Sequence, residues 1–257
     1  MMIDVKIFFL SLAPLSSKAL LNNPVPRESR HFKRSYLRGR GQKTKAQKRA
    51  LRELWPEYGI NIKGNELEFS KQYDPTVPLI LDIGFGQGES LVALGSKFQM
   101  CTIIGCEVHN PGIGAALLRL AETELTNVKI VRADVFALIH SKRILPNLFA
   151  CFIGFPDPFP HSVSRRLIRP DFIHSIEQCL TSDFSHPNIP PVSIATDNER
   201  YAQHAINLFT NAKWTKLQAS YHPSLRPEWR PISNYEQKAL NADRPVWDLA
   251  FAPPQSE

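Results

Sequence analysis

The chain has 257 residues, 43% of them hydrophobic, so it is long enough to bury one sizeable core. No apolar run approaches the length of a transmembrane helix, and the four cysteines form no C-x-x-C pair, which favours a cytoplasmic protein with reduced core thiols and excludes a membrane-spanning one. The formal net charge of +7 favours a polyanionic partner.

The positive charge is concentrated near the N-terminus. We expect residues 1–26 to be a disordered leader, with a targeting remnant or an over-long start as alternatives. We expect residues 27–60 to be a basic arm with a helix capped by Thr44, and residues 61–257 to be the main domain. Only one acid, Glu28, accompanies the basic residues between 27 and 52. These are Arg27, Arg30, Lys33, Arg34, Arg38, Arg40, Lys43, Lys45, Lys48, Arg49 and Arg52. The alternative interpretation of the arm is a solvated tail that only aids solubility.

Strands and helices alternate along the main domain. Short buried apolar runs predict strands at Leu79–Ile83, Cys101–Glu107, Val128–Val131, Ala150–Ile153, Val192–Thr196 and Val246–Phe251. Apolar residues at helical spacing predict helices at Glu89–Lys97, Gly114–Leu125, Leu167–Leu180 and Glu199–Phe209. This alternation predicts an α/β fold with a doubly wound, mainly parallel sheet, right-handed crossovers and helices on both faces.

A glycine-rich turn follows the first of these strands. Gly84, Gly86 and Gly88 allow a tight turn and a close approach of the backbone to a ligand. The spacing is G-x-G-x-G, and Glu89 stands where a dinucleotide-binding loop has its third glycine. This favours a class I S-adenosylmethionine pocket over a pyrophosphate site, while another nucleotide or a purely structural turn remains an alternative.

Acidic residues are associated with three successive strands. Asp82 precedes the glycine turn, Glu107 ends the next strand, and Asp134 follows the third. Glu107 is placed to accept hydrogen bonds from ribose hydroxyls, and Asp134 from an adenine amino group. Each acid taken singly is also explained as a helix cap or loop residue. Together they are expected to meet at one edge of the sheet.

Asp157 lies between Pro156 and Pro158, directly after the strand predicted at Ala150–Ile153. Proline on both sides fixes the backbone and removes amide donors, which holds the carboxylate at the carboxyl end of a strand, where open α/β sheets bind ligands. Such a turn is also ordinary punctuation in loops when it occurs alone.

Several segments together resemble the tRNA (guanine-N7-)-methyltransferases of the single-chain bacterial type. The likeness runs in consistent order from about residue 30 to residue 251. It rests on the glycine loop, the second acidic strand, the Pro-Asp-Pro turn and two later motifs, namely Leu81–Leu91, Ile104–Gly114, Phe155–Phe159, Ala195–Ala202 and Arg230–Gln237.

The resemblance implies a Rossmann-like class I enzyme that transfers a methyl group from S-adenosylmethionine to N7 of a guanine in tRNA, guanine 46 of the variable loop in this family. It implies that Asp157 is at the active centre. Cofactor-binding roles are implied for Asp82, Gly84, Gly86, Gly88, Glu107 and Asp134. Substrate-binding roles are implied for His161, Arg165, Asp197, Ser233, Asn234, Tyr235 and Glu236.

This chain departs from the family pattern near the predicted active centre. The family usually has Trp at the position of Phe159 and a substrate-binding lysine at the position of His161, and its Thr-x-Phe-Glu element is Ser-Asn-Tyr-Glu here. Two alternatives stay open, the first because other class I methyltransferases also use a Pro-rich acidic turn after the fourth strand, and the second because of the lost lysine. One is a class I methyltransferase with another target, such as an exocyclic amine, and the other is a catalytically silent RNA-binding relative.

The expected partners follow from the same residues. We expect tRNA as the substrate, no metal because the histidines do not pair with cysteines or carboxylates at ligand spacing, and no membrane association. The family resemblance is compatible with a monomer, which we expect for this chain.

Overall fold

The computed structural model describes residues 35–36, 42–63, 66–68, 77–139, 145, 148–181, 189–220 and 226–254. The leader expected at 1–26 and the basic residues of the arm before Lys43 lie outside the described residues. The described strands form one nine-stranded sheet in the order β2-β1-β5-β4-β3-β6-β7-β9-β8.

The strands are β1 (Gly59–Lys63), β2 (Glu66–Glu68), β3 (Leu79–Ile83), β4 (Thr102–Glu107), β5 (Val128–Arg132), β6 (Leu148–Gly154), β7 (Val192–Thr196), β8 (Thr215–Ser220) and β9 (Trp247–Ala252). The helices are α1 (Lys45–Glu53), α2 (Trp55–Tyr58), α3 (Glu89–Lys97), α4 (Asn110–Ala121), α5 (Phe136–Ile139), α6 (Pro170–Cys179), α7 (Glu199–Asn211) and α8 (Asn234–Leu240), with a 3-10 turn at Val163–Arg165.

The centre of the sheet is parallel and doubly wound, as the alternation predicted. From β3 the chain moves through β4 to β5 on one side, and β6 and β7 extend the sheet on the other. The strand order therefore reverses between β3 and β6, although the two strands are parallel. Such a reversal leaves a crevice at the carboxyl ends of the two strands, which is the usual ligand site in these sheets. The strands β2, β8 and β9 pair antiparallel to their neighbours.

Helices cover both faces of the sheet. Alternate side chains of β3 point to opposite sides, so Leu81 belongs to one hydrophobic cluster and Ile80 to the other. The Leu81 side packs against α5, α6 and α7, and the Ile80 side packs against α1, α3 and α4. All five residues of β3 are buried, which explains why four of them are apolar and Asp82 is the exception.

The helix of the basic arm is folded against the main domain. Thr44 caps α1, as predicted, by accepting a hydrogen bond from the Gln47 amide (3.1 Å), and the Gln47 side chain accepts one from the Thr44 amide (2.9 Å). Gly114 of α4 allows a close approach, because a Cβ there would lie 2.8 Å from that of Gln47. The next strand, β1, crosses residue 60, the expected boundary between arm and main domain, and pairs parallel to β5.

Some elements differ from the sequence prediction. The helix expected at Gly114–Leu125 is α4, which begins at Asn110 because Pro111 is accommodated in its first turn, and ends at Ala121. The sequence prediction omitted the strands β1, β2 and β8 and the helices α2, α5 and α8. The four cysteines are free and buried, which confirms the expected core thiols.

Two further observations concern the expected partners. In the part of the chain that the structure describes, no helix combines the length and hydrophobicity needed to cross a membrane. Within the same residues, no three His, Cys, Asp or Glu side chains come together in a way that suits a metal ion.

Candidate active site

Two adjoining cavities lie at the carboxyl edge of the sheet, where the strand order reverses between β3 and β6. The larger, of about 370 Å³, is lined by Glu107, Asp134 and Asp157, and the smaller, of about 200 Å³, is lined by Asp82. Both cavities share the wall residues Gly84, Gly86, His109, Gly154, Phe155 and Tyr235. The four acids selected from the sequence are therefore brought to one region, although they are divided between two compartments.

The glycine turn has the backbone conformation expected of it. Gly86 has a φ of 59° and Gly88 a φ of 90°, both in the left-handed region. A side chain at Gly88 is also excluded by packing, because a Cβ would lie 2.7 Å from that of Ala116 in α4. The turn thus places backbone amides at the boundary of the two cavities.

Asp82 is a fully buried carboxyl group in the smaller cavity. Its Oδ2 accepts a hydrogen bond of 2.5 Å from the Ser90 hydroxyl, whereas its Oδ1 has no hydrogen-bond partner among the described residues. Burial raises the pKa of Asp82 to about 7; the Ser90 hydrogen bond opposes this effect and the charge of Glu107 adds to it. A buried acceptor without a partner is costly, which makes Oδ1 suited to a ligand cation or donor.

Glu107 is fixed by backbone amides at the end of β4. Its Oε1 accepts hydrogen bonds from the amides of Val108 (2.6 Å) and His109 (2.8 Å), and its Oε2 accepts one from the Gly86 amide (3.2 Å). Burial raises the pKa of Glu107, and these amides oppose the effect. The carboxylate is therefore held rigidly beside the glycine turn, and it also faces the larger cavity.

Asp134 lies after β5 and is buried. Its Oδ1 accepts a hydrogen bond of 3.1 Å from the Phe136 amide at the start of α5. Asp134 therefore caps the start of α5 through one of its oxygens, as the alternative interpretation from the sequence proposed. It also lines the larger cavity.

The Pro-Asp-Pro turn is held on both sides. Phe155 and Phe159 have φ angles of 49° and 37°, which are uncommon for residues with a Cβ. The Phe155 amide donates to the Ala195 carbonyl in β7 (2.7 Å), and the buried Arg166 guanidinium donates to the Pro158 carbonyl (2.8 Å). These contacts fix the strained backbone and leave Asp157, half-buried, lining the larger cavity.

The residues after Arg230 form α8 and its cap. Ser233 caps the helix through the Glu236 amide, and Glu236 is buried in ion pairs with Arg230, which also pairs with Asp248 of β9 at 2.8 Å. Ser233, Asn234 and Tyr235 lie at the cavities, since all three line the smaller one and Tyr235 also lines the larger. The buried ion pairs attach α8 to the sheet and thereby fix Tyr235 over the glycine turn.

The other predicted substrate residues lie outside the two cavities. Asp197 forms a surface ion pair with Arg244 (2.9 Å), and His161 is exposed. Arg165 stacks over the Phe159 ring, 4.2 Å from its centroid, and donates to the Tyr36 carbonyl (3.2 Å). The structure therefore brings three of the predicted substrate residues to the same place as the four acids, namely Ser233, Asn234 and Tyr235. It does not bring His161, Arg165, Asp197 or Glu236 there.

Two residues that the structure places at the site were not predicted from the sequence to have a role there. His109 lines both cavities, and its Nε2 is buried without a hydrogen-bond partner among the described residues. Glu89 connects three elements, because its Oε1 accepts from Arg119 of α4 (3.1 Å) and from Asn234 of α8 (3.2 Å). The sequence gives one local indication that His109 belongs to the site, namely its position two residues after Glu107. It gives none for Glu89, because Arg119 and Asn234 are distant in the sequence.

The arrangement suits a cationic ligand with several hydrogen-bond donors. Acidic acceptors lie at both cavities, one of them with an unused buried oxygen, and the glycine turn between them permits close contact. S-adenosylmethionine carries an ammonium group, a ribose diol and an adenine amine, and these are groups that such acceptors bind.

Comparison with known proteins identifies the family. A family model described as "Putative methyltransferase" matches residues 76–249. The chain is 35% identical to a tRNA (guanine-N(7)-)-methyltransferase of Aeromonas hydrophila over 85% of this chain and 91% of the other. It is 32% identical to one of Hydrogenovibrio crunogenus over 88% of this chain and 93% of the other. Among solved structures, the 16S rRNA methyltransferase KamB has a TM-score of 0.48 at 15% identity, over 76% of this chain and 100% of the other. The extent of the sequence identity shows that the chain belongs to the tRNA (guanine-N7-)-methyltransferase family.

Proposed function

We propose that this protein transfers the methyl group of S-adenosylmethionine to N7 of a guanine in tRNA, with guanine 46 as the target. The observation that carries the proposal is that four acids line two adjoining cavities at the point where the strand order reverses. These acids are Asp82, Glu107, Asp134 and Asp157. The family relationship supplies the reaction, and the cavities supply a site of suitable chemistry for it.

Three acids bind the donor in this proposal. When bound, S-adenosylmethionine supplies a methyl group activated by a positively charged sulfur. The free buried oxygen of Asp82 accepts from the ammonium group, the amide-fixed Glu107 accepts from the ribose hydroxyls, and Asp134 accepts from the adenine amine.

Asp157 positions the other reactant. Guanine N7 already carries an in-plane lone pair, so no proton has to be removed from the nucleophile and Asp157 need not act as a general base. Its carboxylate accepts hydrogen bonds from the N1–H and N2–H groups of guanine, which aligns N7 with the methyl carbon. The base gains positive charge during transfer, and a nearby carboxylate stabilises that charge. The strained turn around Pro156 and Pro158 keeps this acceptor in place.

Methyl transfer to a defined tRNA tests the proposed function. Purified protein is incubated with unmodified tRNA and labelled S-adenosylmethionine, and the modified base is then mapped. We expect N7-methylguanine at position 46 and no label in a transcript with adenine there. Label on an exocyclic amine supports another class I methyltransferase, and donor binding without transfer supports a silent relative, so either result rejects the proposal.

The exposed basic face of α1 is expected to bind tRNA phosphates. Lys45, Lys48, Arg49 and Arg52 are all exposed on this helix, next to the cavity wall that Gln47 contributes. Replacing the four with Gln is expected to weaken tRNA binding and to lower the slope of log Kd against log salt by about 0.7–0.9 for each lost phosphate contact. The dissociation constant of S-adenosylhomocysteine is expected to stay within about twofold.

Fluorescence titrations at several salt concentrations measure this effect. The matched control replaces Lys97 and Lys216, two exposed lysines outside α1, with Gln. An equal loss of tRNA affinity in the control, or an equal loss of donor and tRNA affinity in the α1 variant, contradicts the assignment of this helix to phosphate binding.

A further inference from the structure

Arg166 is a buried arginine beside the Pro-Asp-Pro turn. Only 6% of the residue is exposed, and it directly follows the 3-10 turn at Val163–Arg165. Its Nε donates a hydrogen bond of 2.8 Å to the Pro158 carbonyl, and its guanidinium carbon lies 5.5 Å from the centroid of the Tyr201 ring. The guanidinium therefore connects the turn that carries Asp157 to helix α7.

Helix α7 offers this arginine a rigid partner. Tyr201 is fully buried, and its hydroxyl accepts a hydrogen bond of 3.2 Å from the Ile168 amide. The Ile168 carbonyl lies 3.0 Å from Nε2 of His204, three residues further along α7. Both backbone polar groups of Ile168 are thus bound by α7, which fixes the chain two residues after Arg166.

The partners of Arg166 are uncommon for a buried charge. None of the ion pairs among the described residues includes it, so its positive charge is stabilised by a carbonyl and an aromatic ring. A buried charge without an acidic partner contributes little to stability or opposes it. Arg166 is therefore explained better by the group that it holds in place than by a gain in stability.

The Pro158 carbonyl belongs to the peptide whose orientation sets the φ of Phe159. That φ is 37°, in the left-handed region, which is unfavourable for a residue with a Cβ. Rotation of the peptide plane between Pro158 and Phe159 would change this angle and relieve the strain, but it would also turn the carbonyl away from Arg166. The hydrogen bond from Arg166 therefore opposes relaxation of the turn.

Asp157 lies between two anchored points of the turn. On one side, the Phe155 amide donates to the Ala195 carbonyl of β7 (2.7 Å). On the other side, the Pro158 carbonyl accepts from Arg166 (2.8 Å). The two prolines of the turn have no amide hydrogen, so they offer few other groups with which the turn can hold its shape. Loss of the second anchor is expected to let the backbone next to Asp157 move.

We infer that Arg166 is a positioning residue for methyl transfer, which holds the peptide between Pro158 and Phe159 in its strained orientation and thereby keeps Asp157 at the larger cavity. This assignment rests on the proposed function. Because Arg166 is buried, it is not available to a tRNA phosphate. Its neighbour Arg165 is only half-buried, and its predicted role in substrate binding is separate from this one.

The contact is expected to affect the rate and not the affinity for tRNA. In the proposed function, Asp157 aligns guanine N7 with the methyl carbon, and misplacement by about 1 Å in such an arrangement costs about 100-fold in rate. Loss of a hydrogen bond from a charged donor corresponds to a change of about 10- to 100-fold. Phosphate contacts supply much of the affinity for a nucleic acid, so KM for tRNA should change little.

The Arg166→Met variant tests the assignment, because it removes the donor and the charge but keeps an apolar side chain of similar length. We expect kcat to fall about 10- to 100-fold. KM for tRNA and the dissociation constant of S-adenosylhomocysteine should stay within about twofold of the wild type. The Tm should stay close to that of the wild type, since removal of an unpaired buried charge and relief of the strained turn offset the lost hydrogen bond. Arg166→Lys restores a charged donor and should have a kcat between those of the other two proteins.

Two controls separate positioning from stability and from phosphate binding. Arg200→Met replaces an exposed arginine of α7 and should leave kcat unchanged. Phe209→Leu weakens the core of the same helix, where Phe209 stacks on Phe251, and should lower the Tm without lowering kcat. A similar loss of kcat in Phe209→Leu, or a raised KM with a smaller salt dependence in Arg166→Met, overturns the inference. An unchanged kcat in Arg166→Met also overturns it.

Hydrogen–deuterium exchange of the protein alone tests the anchoring role separately from the reaction. The Phe155 amide donates to the Ala195 carbonyl and the Ser162 amide to the Phe159 carbonyl (3.1 Å), so both amides report on the turn. We expect faster exchange over residues 155–162 in Arg166→Met and not in Phe209→Leu. Unchanged exchange would show that Arg166 does not hold the turn. Failure of the proposed function is recognised differently, since the wild type would then transfer no methyl group to N7 of tRNA guanine while the exchange result would remain valid.

Discussion

The Asp82→Asn variant is expected to bind S-adenosylhomocysteine at least about 100-fold more weakly than the wild type, because a buried ammonium group loses its charged partner. The substitution keeps the shape of the side chain and an oxygen that can accept from Ser90. The fold should therefore survive, and the loss should appear in isothermal titration calorimetry as weak or absent binding.

The same variant is expected to change how stability depends on pH. The pKa of Asp82 rises from 3.8 to about 7 in the folded protein because of burial. The folded state then holds this proton more tightly than the unfolded state, so its contribution to stability is greatest below about pH 4, falls as the pH rises through about 7, and is constant above about pH 8. Between pH 5.5 and 8.5 the wild type should lose about 2 kcal/mol relative to Asp82→Asn.

Denaturant unfolding at pH 5.5, 7 and 8.5 measures that difference. The control is Asp243→Asn, an exposed substitution at a left-handed position that Asn tolerates, and it should follow the wild type at each pH. Ser90→Ala removes the hydrogen bond that lowers the pKa of Asp82, so it should move the pH-dependent range upward. Parallel stability curves for the wild type and Asp82→Asn would show that Asp82 does not titrate in this range.

The predicted parts of the fold are those with strong local signals. The strands β3 and β7 match their predicted bounds because every residue in them is buried, which makes their sequences mainly apolar. By contrast, β8 has exposed residues over its first half and, among the described strands, pairs only with β9, so its sequence lacks that signal. A usable signal was present for α8, since Ser233 followed by Glu236 is the capping pattern that also starts α1 with Thr44 and Gln47.

The sequence predicted that the acids of the candidate site lie together, but it did not predict that they are divided between two cavities. Acids placed at the ends of parallel strands must meet at one edge, so Asp82, Glu107 and Asp134 were expected together. Their separation into two cavities depends on α8, which returns from more than a hundred residues away to place Tyr235 over the glycine turn. No local pattern connects Arg230 with Asp248 in β9, although that ion pair holds α8 in place.

Replacement of Asp157 is expected to have the largest effect on the rate. The Asp157→Asn variant keeps the size of the side chain but replaces one acceptor oxygen with a donor and removes the charge that stabilises the methylated purine. Loss of a single preorganised electrostatic contact in an active site costs about 10²–10³ in kcat, and we expect a decrease of that size for methyl transfer to tRNA.

Single-turnover methylation assays, with donor affinity measured in parallel, separate chemistry from binding. S-adenosylhomocysteine should bind Asp157→Asn within about threefold of its wild-type affinity, because Asp82, Glu107 and Asp134 are unchanged. Asp157→Ala should be equally impaired, and Asp243→Asn should retain full activity. If Asp157 were a general base, the lost rate would return as the pH is raised; a deficit that stays constant from pH 6.5 to 9 agrees with the positioning and charge-stabilising role. Transfer at the wild-type rate by both Asp157 variants would remove this residue from the active centre and leave the rigid Pro-Asp-Pro turn without a catalytic explanation.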